Sequence, residues 1–197
     1  MKNLIKSICI SFVICVIFSI IPFNAQCKNV SNEVFRLHIL ANSDSDFDQK
    51  LKLNVRDKVL EFTNSLYQNA KSKKNAETLT FNNLQKIADI AKTEIVKNGY
   101  SYPVKAELKR MYFNTRYYGR VTMPSGFYNA LRITIGKGEG HNWWCVMYPS
   151  LCVGASTDYN SLKENTDKDE YRIMTENGYE FKFKALEYFE KICSFFS

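Results

Sequence analysis

The feature that most constrains this chain is an uncharged apolar run near its start, from Ser7 to Phe23. Lys2 and Lys6 precede the run, and a positive segment followed by an apolar one is the pattern of a signal peptide. A bilayer span needs about 20 apolar residues, so this run is short for an anchor. We therefore predict export, with residues 1–27 as a signal peptide and its retention as an uncleaved anchor as the alternative.

The cleavage site decides how much chain is left to fold. Cleavage after Cys27 puts Ala25 and Cys27 at the two small-residue positions, whereas cleavage after Ala25 puts the bulky Phe23 at one of them. With the cut after Cys27, about 170 residues remain, which is enough for one domain with its own core. We predict a domain over residues 28–153, a polar linker over 154–180 and a short helical tail over 181–197.

The chain is basic, with a formal net charge of +7 at pH 7. This charge favours contact with an anionic membrane surface or an anionic polymer. The longest basic run, from Lys71 to Lys74, lies in a polar stretch and is typical of a solvated loop. The charge is too diffuse for a nucleic-acid site, so we predict no nucleic acid among the partners.

The hydrophobic periodicity predicts an α+β fold. Residues 33–42 alternate as a strand does, and residues 47–66 carry an apolar stripe at helical spacing, beginning with Phe47 and Leu51. A second helix is predicted from Thr80, as its cap, to Asn98 and Gly99, and strands follow over residues 102–113, 128–135 and 143–148. We therefore expect two helices packed on a mainly antiparallel β-sheet, with a C-terminal helical tail that docks on the domain or contacts a membrane or partner.

Two turns in this pattern resemble binding loops. In ANSDSDFDQ, an EF-hand would need a glycine and a glutamate where the chain has Phe47 and Leu53, so no metal site is predicted. Ser45 as N-cap and Asp48 as its reciprocal partner fit a capping box that begins the first helix. The other turn, GKGEG, lacks the spacing of a phosphate-binding loop and is predicted to be a hairpin turn between the last two strands.

The cysteines allow a structural and a chemical interpretation. Cys145 and Cys152 bracket a turn at Pro149 and can close into a disulfide outside the cell. A cysteine-dependent hydrolase would instead pair Cys145 with a histidine. His141 lies about 13 Å away along the same strand, whereas His38 could approach from a neighbouring strand. No nucleophile pattern surrounds these residues, so no catalytic residue and no cofactor is predicted.

The adjacent Trp143 and Trp144 are the strongest sign of an interaction surface. Strand alternation puts them on opposite faces, so one is expected in the core and the other against solvent or a partner. An exposed tryptophan near Arg132 and Tyr148 is typical of an interface anchor. We predict that these four residues bind a partner.

FRLHILANSDSDFDQKLKLNVRDKVL and LRITIGKGEGHNWWCVMYPSLC, in this order behind a signal sequence, resemble the stage II sporulation protein R family of endospore-forming bacteria. The resemblance spans residues 33–153. The family often has proline at the position of Asp46, which also fits the start of a helix.

The resemblance implies a signalling role and not an enzyme. Family members are exported from the forespore into the space between the forespore and mother-cell membranes. There they are required for a membrane-embedded aspartic protease to process the precursor of sigma-E. The competing hypothesis is a secreted hydrolase that acts on the cell wall or depends on a cysteine.

Overall fold

The computed structural model describes residues 2–153, 156–157, 159–176 and 178–195 of the chain. These residues form two compact units. The sheet unit comprises residues 32–112 and 127–167, and the helical unit comprises residues 1–31, 113–126 and 168–197. Each unit draws on separate parts of the chain, so neither is a continuous segment.

The sheet unit carries the elements that the hydrophobic periodicity predicted. Its strands are β1 (Phe35–Leu40), β2 (Val104–Phe113), β5 (Gly126–Ile135) and β6 (Asn142–Tyr148), followed by the short pair β7 (Cys152–Val153) and β8 (Ser156–Thr157). Its helices are α2 (Asp46–Tyr67), α3 (Lys73–Asn82), α4 (Leu84–Lys97) and α5 (Tyr159–Glu164). The helical unit contains most of α1 (Lys2–Glu33), with β3 (Arg116–Tyr118), β4 (Val121–Met123), α6 (Lys168–Thr175) and α7 (Glu180–Phe195). The predicted α+β class, with helices at the C-terminus, is confirmed.

The four-stranded sheet has the order β2-β5-β1-β6 and is mixed. β1 runs parallel to β5 and antiparallel to β6, so it separates the two strands that the sequence pattern joined as a hairpin. The predicted hairpin turn at GKGEG is therefore wrong, because this segment connects strands that are not neighbours. All six residues of β1 are buried, which suits a strand at the centre of a sheet.

The helices α2, α3 and α4 build the core together with the sheet. The predicted stripe on α2 is buried at Leu51, Val55 and Val59, but Phe47 in the first turn is 74% exposed. Thr80 lies inside α3 and does not cap a helix, since its hydroxyl donates to the Ala76 carbonyl and its helix begins after Ser72. The break falls instead at Asn83, between α3 and α4.

The end of α4 follows the prediction. Asn98 is the C-cap, and Gly99 has a φ of 86°. Only glycine adopts this left-handed conformation without strain, which explains why the helix ends there.

The helical unit has a small core of its own. Phe23 and Cys27 of α1 are buried with Ile173 of α6 and with Phe183 and Leu186 of α7. Residues 154–180, predicted as a polar linker, thus contain α5 and α6, and the predicted tail helix is α7. Among the residues that the structure describes, no helix combines the length and apolarity needed to cross a membrane.

Two loops at one end of the sheet are joined by backbone hydrogen bonds. The Gly140 amide donates to the Ala41 carbonyl at 3.0 Å, and the Glu139 amide donates to the Asn42 carbonyl at 3.3 Å. The side-chain oxygen of Asn42 also accepts from the Lys137 amide at 3.1 Å. We call these segments the paired loops: Ala41–Ser45 follows β1, and Gly136–His141 follows β5.

The paired loops leave no space for a side chain at two glycines. A Cβ at Gly136, where φ is 58°, would lie 2.2 Å from the Asn42 side-chain oxygen. A Cβ at Gly140 would lie 2.1 Å from the Ser43 carbonyl oxygen. Gly140 therefore has no room for a side chain because the Ser43 backbone packs against it, and Gly136 combines a positive φ with close contact to the Asn42 side chain.

We expect Gly140→Ala to destabilise the chain by about 3 kcal/mol, the upper range for overpacking, because the added methyl group overlaps a backbone oxygen. Gly99→Ala is the matched control, since its Cβ would meet nothing within 4 Å. It should cost about 1 kcal/mol through its positive φ alone. Urea unfolding of both variants measures the difference, and equal losses would show that the loops are not tightly packed.

Candidate functional site

The first of the paired loops caps α2. The Ser45 hydroxyl accepts a hydrogen bond from the Asp48 amide at 3.2 Å, which is the N-cap arrangement. The reciprocal half of the predicted capping box is absent, because the Ser45 amide donates to the Ser43 hydroxyl at 3.3 Å. The Asp48 carboxylate instead accepts from the Ser43 hydroxyl at 2.6 Å and from the Asn42 amide group at 2.9 Å.

The Asp48 carboxylate is therefore buried and accepts hydrogen bonds from both of these side chains. Its burial alone would raise its pKa, but hydrogen bonds from Ser43, Asn42 and Tyr102 outweigh that effect. The pKa of Asp48 is therefore lowered below its ordinary value. Asp48 joins the first loop to the start of β2 through Tyr102, a role that its place in a capping pattern did not predict.

The second loop contributes an Asp-His pair. The Asp44 carboxylate accepts from the backbone amide of His141 and pairs with its imidazole Nδ1, and both contacts lower the pKa of Asp44. Lys52 of α2 donates to the His141 carbonyl at 2.7 Å. The side chains of His141 and Asp44 are 78% and 55% exposed, so solvent screens this pair.

The aspartates do not gather as metal ligands. In the described ranges, no three side chains of the types His, Cys, Asp and Glu lie close enough to hold an ion. The donors in this loop are used for the helix cap and for the second loop.

Arg132, His38 and Trp144 form a row across three neighbouring strands on one face of the sheet. His38 of β1 is in register with Arg132 of β5 on one side and with Trp144 of β6 on the other. The rings of His38 and Trp144 stack with centroids 3.9 Å apart, and His38 Nε2 lies 2.7 Å from the Asn142 side-chain oxygen. We call Arg132, His38 and Trp144 the cross-strand row.

His38 is neutral at pH 7. Burial lowers its pKa to about 4, the hydrogen bond with Asn142 opposes this shift, and the charge of Arg132 adds to it. The cross-strand row therefore presents one cation beside a stacked, uncharged pair of rings.

Trp143 points to the opposite face, as strand alternation predicted. It is in register with Ile39, and the guanidinium of Arg56 of α2 lies 4.3 Å from its ring centroid. Both tryptophans are partly buried, so the expected division into one core and one exposed ring is only approximate. Trp143 fixes α2 on the sheet through a cation–π contact.

Tyr148 does not join the predicted cluster. It is in register with Phe35 at the other end of β6, about 13 Å along the strand from Trp144. Its ring is buried, and its hydroxyl donates to the Asn165 side chain at 3.3 Å. Of the four predicted binding residues, only Arg132 and Trp144 lie together on one face.

Cys145 is not placed for catalysis with His38. Cys145 is in register with Leu37, so its side chain lies on the face opposite to that of His38. Cys145 is also disulfide-bonded and offers no thiol. The side chain of Cys152 lies outside the described part of the chain, so its pairing with Cys145 stays a prediction.

Sequence reasoning missed Asn42, Lys52 and Arg56 as residues that build this region. Each is polar yet holds a loop or strand to α2, and Lys52 and Arg56 are buried. Lys52 and Arg56 are four residues apart on α2. This spacing was a usable signal, because it places two cations on the buried stripe of a helix.

The family profile described as stage II sporulation protein R matches residues 31–158. A curated stage II sporulation protein R from Bacillus subtilis (strain 168) is 36% identical over 147 residues. The alignment covers 75% of this chain and 66% of that protein, slightly less than two thirds of its length. No solved structure matches the chain.

We expect acid to destabilise the chain through Asp48. Since its folded pKa lies below the unfolded value of about 3.9, its contribution is present above that pH and is lost as pH falls through the folded pKa. Asp48→Asn should cost about 1.5 to 3 kcal/mol at pH 7, because hydrogen bonds to a charged group are lost. Unfolding measured at several pH values should show a flatter acid limb for this variant.

Asp46→Asn is the control, because Asp46 is an exposed residue of the same helix turn. It should cost no more than about 1 kcal/mol. An equal loss in both variants would mean that helix-dipole charge, and not the hydrogen bonds of Asp48, stabilises this end of α2.

Proposed function

The chain belongs to the stage II sporulation protein R family, and from this premise we propose that it is an exported signal between the two cells of a sporangium. It is secreted from the forespore into the space between the forespore and mother-cell membranes. There it activates a membrane-embedded aspartic protease of the mother-cell membrane, and the protease then processes the sigma-E precursor.

The observation that carries this proposal is that the two sequence segments that identify the family meet in the paired loops. Ala41 and Asn42 from the first segment bond to Gly140 and Glu139 from the second. Their polar groups are used for holding one another and for capping α2. Such groups support a surface, and loops positioned in this way often carry binding residues.

The N-terminal helix supports the export step. Its residues between Leu4 and Ile21 expose many large apolar side chains, among them Ile14 and Phe18. Lys2 and Lys6 precede them in the order of a signal sequence. The disulfide bond of Cys145 agrees with an oxidising compartment outside the cytoplasm.

Among the candidate residues that the structure describes, the exposed Asp44–His141 pair remains available to the hydrolase hypothesis. Cys145 is in a disulfide bond, and His38 faces away from it. A general base would also need a nucleophile within hydrogen-bond reach. We therefore propose that this protein acts through a surface and without catalysis.

Charging the apolar run should block signalling. In a spore-former that lacks its own family member, Ile14→Asp with Phe18→Asp should leave the chain in the forespore cytoplasm and abolish conversion of the sigma-E precursor. The matched control is Phe47→Asp with Phe81→Asp, since these phenylalanines are also exposed, at 74% and 65%, but lie outside the run. Immunoblots of the sigma factor and of this protein measure the outcome.

Normal precursor conversion by the unexported double variant would contradict the proposed role. His141→Ala tests the hydrolase hypothesis. It removes the imidazole, while the backbone amide of His141 still donates to Asp44. We expect this variant to signal normally. Loss of conversion at a normal exported level would favour a catalytic Asp-His pair.

A further inference from the structure

A cleft of about 430 Å³ lies over β2 and β5, at the edge of the sheet. This volume falls in the range of ligand-binding clefts, about 300 to 1,000 Å³. We call it the edge cleft, and its lining residues are Pro103, Val104, Lys105, Glu107, Lys109, Arg132, Thr134 and Gly136. Lys105, Glu107 and Lys109 are alternate residues of β2, so strand geometry places their side chains on one face.

The edge cleft has a surplus of positive charge. Its side chains supply three cations, Lys105, Lys109 and Arg132, against the single carboxylate of Glu107. Lys105 pairs with Glu107 at 2.6 Å, and this hydrogen bond lowers the pKa of Glu107. The charges of Arg132 and Lys109 also lower the pKa of Glu107, but the described ranges show no ion pair at either cation.

Arg132 is the partly buried cation of this site, whereas Lys105 and Lys109 are exposed. It belongs both to the edge cleft and to the cross-strand row, where the neutral His38 lies beside it. The Nε atom of Arg132 is buried and has no hydrogen-bond acceptor in the part of the chain that the structure describes. A buried donor without an acceptor is destabilising, and a carboxylate is the planar acceptor that a guanidinium matches best.

The shape of the site favours a polypeptide over a membrane surface. β2 is an edge strand of ten residues, and β5 is its one neighbour in the sheet order. An extended segment can add to such an edge through main-chain hydrogen bonds. Its side chains on one face recur at every second residue, so carboxylates there would meet Lys105 and Lys109, which are about 13 Å apart. Arg132 is only partly exposed, which hinders contact with a flat layer of lipid headgroups.

We propose that the edge cleft binds an extended acidic segment of the partner protein, which pairs with the outer edge of β2 and places a carboxylate on Arg132. This inference rests on the proposed function, because it assigns the surface through which the signal reaches the protease. Lys105 and Lys109 bind further carboxylates of the segment. His38 and Trp144, the other two members of the cross-strand row, stack on the strands next to Arg132.

Binding to a defined probe tests the chemistry. The probe is a short labelled peptide of alternating glutamate and threonine, and its control has glutamine for glutamate. We expect the chain, as exported, to bind the acidic peptide and not the glutamine peptide in fluorescence anisotropy. Arg132→Gln should weaken binding roughly tenfold or more, as loss of a buried charge partner does, and Arg132→Lys should restore part of the affinity.

A matched pair of double variants distinguishes binding at the edge cleft from a general effect of net charge on binding. Lys105→Ala with Lys109→Ala removes two cations from the edge cleft, whereas Lys71→Ala with Lys74→Ala removes two exposed cations elsewhere. We expect only the first pair to weaken binding. Equal losses, or no binding of the acidic peptide to the parent chain, would overturn the proposal. Arg132-dependent binding to phosphatidylcholine vesicles that contain phosphatidylglycerol, without peptide binding, would also overturn it in favour of a membrane site.

Sigma-E precursor conversion in cells distinguishes this inference from the function on which it rests. Arg132→Gln should abolish conversion at a normal exported level, while the variant pair at Lys71 and Lys74 should convert normally. If Arg132→Gln converts normally, the docking site is wrong and the signalling role stands. If cells that lack the protein entirely convert the precursor, the proposed function itself fails.

Discussion

The backbone contact between the paired loops is the interaction on which the sheet unit depends. The loop after β1 and the loop after β5 bond through Ala41 to Gly140 and through Asn42 to Glu139. This contact aligns the ends of two parallel strands, and it lets the chain pass from β5 across β1 to β6. It also fixes the start of α2, since Ser43 and Asn42 hold Asp48. A side chain added at Gly136 or Gly140 therefore strains the contact that joins these loops.

The sheet face that carries the cross-strand row depends on this order of strands. His38 lies on the central strand β1, so register places Arg132 and Trp144 on its two sides, and ring stacking adds to the contact with Trp144. The cross-strand row buries the imidazole of His38. Burial lowers the pKa of His38, so the imidazole is neutral. Arg132 is partly buried where it lines the edge cleft, so it has less conformational freedom to lose on binding than an exposed cation, which favours recognition of an anionic partner.

Sequence patterns predicted the elements better than their neighbours in space. The stripe on α2 and the end of α4 at Gly99 followed from periodicity and from glycine's conformational freedom, because both are local. The place of β1 between β5 and β6 could not be predicted in this way, since strand order depends on contacts between residues distant in sequence. The same reason explains the outcome at the site. Alternation along β6 correctly predicted that Trp143 and Trp144 lie on opposite faces. The proximity of Arg132 to Trp144, and the distance of Tyr148 from both, depend on strand register, which alternation does not predict.

Amide hydrogen exchange of the exported chain, alone and with the protease's membrane portion in detergent, tests the central claim most directly. The claim is that the protein signals through the β2 edge and the face beside it. We predict slower exchange at the amides of Val104–Phe113 on complex formation, with the paired loops already protected in the free chain. Unchanged exchange along β2, with protection confined to α1 or α7, would contradict the account.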